Sequence, residues 1–154
     1  MAQATVEAAM LLPAFLTLLL IALQPVCLLY TRSVMESAAA ETARLMITAP
    51  DGDDDAYVAF AQRRLAAVPN VSIFHVGGPL SWDIELRRAA TSGGAVSVSI
   101  EGFARPLPVI GAFAHLLGET NASGDVALEV SVDYEGRPSW LSGDYRTWVA
   151  MWEG

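Results

Sequence analysis

Glu7 is the only charged residue in the first thirty positions, and it stands at the edge of an uncharged apolar run from Ala8 to Tyr30. A carboxylate placed there is costly in hydrocarbon and calls either for a cationic partner or for an interfacial seat near the positive end of a helix. Asp51, Asp53 and Asp55 have the spacing that opens a calcium loop, but Ala56 stands where that loop needs Gly and Gln62 where it needs Glu. They read instead as the acidic start of a helix. His75 and His115 are the only histidines and fall in no zinc motif, and His115, on an apolar stretch, reads as a packed residue. Cys27 is the single cysteine, so neither an internal disulfide nor a cysteine-rich metal site can form, and it reads as a small buried hydrophobe. No nucleophile elbow, phosphate loop or dinucleotide fingerprint is present, so an enzyme is not expected, nor a metal or cofactor. Three of the four tryptophans, Trp140, Trp148 and Trp152, crowd the tail. Two readings stay open for them: anchors for a partner, since Trp carries much interface energy, or a cap on the core by Trp148 and Trp152 from one face of a short helix.

The elements that must position these residues begin with one long helix. Ala8 to Tyr30 is 23 residues, roughly 35 Å as a helix, enough for a hydrocarbon core of about 30 Å. Gln24 is its one strongly polar side chain, and Pro13 and Pro25 each remove a backbone donor without preventing a span. A secretory signal would carry positive charge before the apolar run, and Met1 to Glu7 has none. Good helix formers follow with no Gly or Pro until Pro50, so the helix is expected to run from about Thr5 to Thr48. Val34, Ala38 and Leu45 form an apolar stripe in this second half, with Arg32, Glu36, Glu41 and Arg44 set for solvent or for pairing. The spans are thus 1–7 a short N-terminal segment, 8–30 a membrane helix, 31–49 its continuation, and 50–154 a domain outside the membrane.

That domain is acidic. Beyond Tyr30 the chain carries nine Arg, no Lys, and sixteen carboxylates, although mean hydropathy over the whole sequence is +0.39. Such a field repels phosphate backbones, so nucleic acid is excluded as a partner. Ala56 to Ala67 reads as a helix with an acidic start and Arg63 and Arg64 near its end. Strands are expected at Val71 to Val76, Ser81 to Leu86, Ala95 to Phe103 and Val126 to Tyr134. The last two alternate with a period of two, which makes one face core and the other wet. Pro106 to Leu117 reads as a short helix or a loop packed on the sheet. The fold class is α+β, a long helix laid on a small antiparallel sheet.

The segment Ala2-Gln3-Ala4-Thr5-Val6-Glu7, then Leu12-Pro13, a Leu-rich run and the Ala-rich, charge-spotted stretch to Arg44, resembles the N-terminal region of TadE-like pseudopilins of the tight-adherence (Tad, Flp) pilus system. The resemblance covers about the first 48 residues. It implies a pilin-like fold, and a minor pilin or pseudopilin acting in pilus assembly, initiation or adhesion. It implies partners among other pilin subunits and inner-membrane assembly proteins, a prepilin peptidase acting between Ala2 and Gln3, and a single-pass place in the bacterial cell membrane with the C-terminal domain extracytoplasmic. With Gln3 as mature residue one, Glu7 falls where the family carries its assembly carboxylate, which would meet the N-terminal amine of a neighbouring subunit. Ala2 stands where the family usually has Gly, and no basic leader precedes it. A start upstream of Met1 and a membrane-retained, uncleaved homologue both account for that. The reading from a different class is a membrane-tethered extracytoplasmic binding module outside any filament.

Overall fold

The computed structural model describes residues 2–48, 53–88, 94–107, 111, 118–136 and 145–152. The long helix α1 runs unbroken from Ala2–Thr48, through both Pro13 and Pro25, and at 47 residues is roughly 70 Å long. Helix α2 covers Asp54–Leu65, followed by strands β1 at Asp83–Arg88, β2 at Val96–Ala104 and β3 at Val126–Tyr134, and a short helix α3 at Tyr145–Trp152.

The three strands form one antiparallel sheet in the order β1-β2-β3. Alternation decides its faces. On β2, Val96, Val98, Ile100, Gly102 and Ala104 are buried, while Glu101 between them is exposed. Register carries the same face across the sheet: Ile84 and Val130 flank Ile100, and Leu86 and Val132 flank Val98. The inward face lies against α1. From Gln24 onward that helix buries Gln24, Cys27, Thr31, Met35, Ala38, Ala39, Thr42, Ala43 and Met46, positions three or four apart that line one side of a 3.6-residue helix. The residues at the centre of the contact are Ala or Thr, so the sheet can come close. Met35 and Met46, with Tyr57 and Leu65 of α2, fill the remaining volume, each worth roughly 1.5–3 kcal/mol when fully buried. Val34 and Leu45 pack at the flank of this stripe as partly buried residues, one step off its centre.

Two ion pairs fix α2. Arg64 pairs with Glu41 of α1, and Arg88 Nη2 at the end of β1 reaches Asp54 Oδ1 at 2.8 Å. Asp53 takes the N-cap position with extended backbone, and its carbonyl accepts from Ala56 N at 3.0 Å and Tyr57 N at 3.3 Å, but its side chain makes no capping bond. The acidic cluster therefore serves α2 through Asp54 and Asp55 in the first turn and the Arg88 pair, rather than through a side-chain cap.

One expected strand is absent. Val71 to Val76 folds as successive turns, with Phe74 N bonded to Val71 O at 2.9 Å and His75 N to the same carbonyl at 3.1 Å. Pro69 just before it has no donor to give a ladder, and the segment instead clasps the end of β2 by Val76 N to Phe103 O and Arg105 N to Ser72 O, both 2.7 Å. β1 begins at Asp83, two residues later than expected, because Ser81 and Trp82 are held by this clasp.

Candidate functional site

α1 has two regimes. Every large apolar side chain from Val6 to Leu23 is at least 38% exposed. That bare stretch is 18 residues, roughly 27 Å, close to the thickness of a bilayer core. So much contiguous apolar surface does not persist in water, and the helix is suited to a membrane anchor or to packing among like helices. Glu7 lies exposed in its second turn. Ala2 and Gln3 belong to the first turn of α1, and their side chains lie outside the described residues.

From Gln24 the domain begins to cover one side of the helix, while Val26, Leu29 and Tyr30 on the other side stay exposed. The Gln24 side chain is fully buried, and its Oε1 accepts from Leu107 N at 2.9 Å, while Nε2 has no partner among the described residues. One turn on, Cys27 is 4% exposed. Thr31 Oγ1 lies 3.1 Å from Cys27 O and 3.2 Å from Phe74 O, so its hydroxyl bridges the helix to the turn segment. Tyr30 sets its ring edge-on to Phe74 at 5.9 Å and donates its hydroxyl to Ala67 O at 3.1 Å. Gln24 is thus the first buried side chain of the helix among the described residues, and the exposed apolar side continues past it to Tyr30.

Beneath the sheet end, His75 and Trp82 stack with ring centroids 3.6 Å apart and planes 9° from parallel. His75 Nε2 lies 2.7 Å from Ser81 Oγ, whose own proton is directed at the carbonyls of Val76 and Gly78. The imidazole therefore donates to the serine. Burial pushes the His75 imidazole below its ordinary value, against the opposite pull of the Gly78 and Phe103 carbonyls. The stack lies directly over Gly102 of β2. Sequence reasoning gave Trp82 no role. A glycine inside an alternating strand was the available signal, since it marks a place where something approaches the backbone closely.

Trp152, on α3, is 89% exposed and takes no part in the core, so a core-capping pair is not formed with it. Trp148 lies in α3 and its side chain is not among those described; Trp140, His115, Asp51 and most of the apolar stretch Pro106 to Leu117 lie outside the described residues altogether. Among the described residues no three His, Cys, Asp or Glu gather as metal ligands.

Residues 2–44 match the model of a family described as TadE-like protein. The match covers the bare stretch and most of the buried stripe of α1, and it stops before α2. The likeness over that helix is to a family associated with the Tad pilus. No curated protein and no solved structure matches the chain.

Proposed function

We propose that this chain is a minor pilin or pseudopilin of a Tad-type pilus, held in the bacterial cell membrane by Val6 to Leu23 with its acidic domain on the extracytoplasmic side. One observation carries the reading: the 2–44 match falls on a helix whose first half is bare and whose second half is clamped by its own domain. A plain anchor needs only the first half. A subunit that must hand its bare helix to other helices while keeping its domain at a fixed height needs both.

In this role the apolar face from Val6 to Leu23 exchanges lipid for the helices of other pilin subunits and of inner-membrane assembly proteins. That step is driven by close packing rather than by the hydrophobic effect, because lipid tails are as apolar as Leu. Glu7 would then set register. In a low dielectric, its pairing with the N-terminal amine of a neighbouring subunit is far stronger than in water, and one misplaced turn of about 5.4 Å would break it. Cleavage between Ala2 and Gln3 by a prepilin peptidase would create that amine four residues before Glu7. Trp140, Trp148 and Trp152 would serve the same assembly as contacts for a partner at the C-terminal end, for which the exposure of Trp152 leaves the ring available.

The test is mass spectrometry of the N-terminus from native cells together with co-purification. A chain beginning at Gln3, and loss of pilus components from the Glu7→Gln variant, are the expected results. A retained Met1 combined with unchanged co-purification would favour the tethered binding module.

A further inference from the structure

We infer that the end of the domain nearest the bare helix is itself a lipid-contacting surface, in which the loop Leu65 to Trp82, led by Val71 and Leu80, rests on the bilayer. This rests on the reading of Val6 to Leu23 as a membrane span. Among the described residues outside α1, the large hydrophobics left exposed are Val71 at 54%, Leu80 at 74% and Trp152. Two of the three therefore lie in one loop.

The loop's position and its charge point the same way. It meets α1 through Tyr30 to Ala67 and Thr31 to Phe74, and Leu107 meets Gln24 about two turns nearer the bare stretch. An open apolar groove of about 290 Å³ runs between Leu23, Val26 and Tyr30 on the helix and Pro69 and Phe74 on the loop, continuous with the lipid-facing side of α1. No Asp, Glu or Arg occurs from Leu65 to Trp82, in a domain otherwise dense with carboxylates. Beside this end Arg105 and Asp125 neutralise each other at 3.1 Å.

The carboxylates collect elsewhere. Asp83, Glu101 and Glu129 are register partners across all three strands on the exposed sheet face, and Glu85 and Asp133 share that face. A headgroup layer carrying negative charge repels such a face and accepts an uncharged one, so the asymmetry orients the domain loop-down. Two exposed apolar side chains at an interface also match the way amphipathic surfaces lie in the headgroup boundary, their apolar tips dipping below it. Seated in this way, the loop would hold Gln24 at the hydrocarbon edge and fix how far α1 is drawn into the membrane.

The experiment places a nitroxide at Val71→Cys, Leu80→Cys, Leu16→Cys and Asp133→Cys, one at a time, in the full chain carrying Cys27→Ala. Each is reconstituted in phosphatidylcholine vesicles. Relaxation by oxygen, which concentrates in lipid, is compared with relaxation by a water-soluble nickel chelate. The oxygen-to-nickel ratio at 71 and 80 is expected to exceed that at 133 several-fold and to approach that at 16. If 71 and 80 read like 133 while 16 reads as lipid, the docking surface is overturned and the span stands. Water-like values at 16 would overturn the span and the inference with it. Protection of 71 from both agents, with dipolar broadening between labels, would assign the surface to a second copy and overturn the lipid assignment. Should Cys27→Ala unfold the chain, brief labelling of the folded wild-type background gives the same comparison, because Cys27 is buried.

Discussion

Gly102→Ala is expected to destabilise the protein although alanine is ordinarily the better strand residue of the two. A Cβ built on Gly102 would meet Trp82 Cζ3 at 2.5 Å and Cε3 at 2.7 Å, and His75 Cε1 at 3.1 Å. Ordinary carbon contacts lie near 3.5–4.0 Å, so the indole must withdraw by about 1 Å. It cannot do so alone. Trp82 is 6% exposed and stacked on His75, which is tied to Ser81 at 2.7 Å, so the whole clasp of residues 75–82 must shift. Overpacking of this kind costs about 1–3 kcal/mol, and the reduced chain entropy of alanine returns about 0.4–1, leaving a net loss of roughly 0.5–2 kcal/mol. At roughly 2–4 °C per kcal/mol for a chain of this size, thermal unfolding of the full chain in micelles should shift down by a few degrees. The pair Gly102→Ala and Trp82→Leu isolates the cause. With the indole gone, the alanine should cost almost nothing. If Gly102→Ala costs as much with Leu at 82 as with Trp, or raises the midpoint in the wild-type background, the steric reasoning is refuted.

Other perturbations follow from the same contacts. Because the folded state holds His75 below its unfolded value of about 6.5, the unfolded chain binds more protons in that window. Stability contributed by the neutral imidazole is thus whole above about pH 6.5 and is lost as pH falls through the folded value; unfolding midpoints at pH 7.5 and 5 should show this slope, and His75→Phe, which keeps a ring on Trp82, should lose it. Thr31→Val removes the hydroxyl that reaches Phe74 O and should cost about 0.5–1.5 kcal/mol, with faster amide exchange in residues 71–76 as the local readout. Ala43→Leu forces a large side chain between α1 and its partners at a fully buried position and should cost about 1–3 kcal/mol, measured by denaturant midpoint.

Much of the architecture was legible because it rests on periodicity. The alternation of Val96, Val98 and Ile100, and of Val126 to Tyr134, located β2 and β3 and their wet and dry faces. Absence of Gly and Pro from Thr31 to Thr48, with Pro50 beyond, located the end of α1. Val71 to Val76 misled because a short apolar run looks alike whether it enters a ladder or folds back on itself, and here Pro69 and the contacts to Phe103 and Arg105 decided for turns. Past Leu23 the helix is two-sided, with Gln24 and Cys27 buried under the domain while Val26, Leu29 and Tyr30 stay exposed, and hydropathy does not show this because burial in lipid and burial under a protein domain demand the same residue types. Only Gln24, polar among apolar neighbours, distinguished the two, and its meaning became clear through the Leu107 bond. The His75–Trp82 stack joins residues with no spacing rule between them, so a lone strand glycine was its sole trace.

The central claim is that the bare face from Val6 to Leu23 serves helix-to-helix assembly rather than anchorage alone. A photocrosslinking residue at Leu16, which is 49% exposed on that face, tests it in native cells. Covalent adducts with pilin subunits or inner-membrane pilus assembly proteins, lost when Glu7→Gln is added, are the predicted result. Adducts with lipid alone, unchanged by Glu7→Gln in cells that are producing pili, would contradict it.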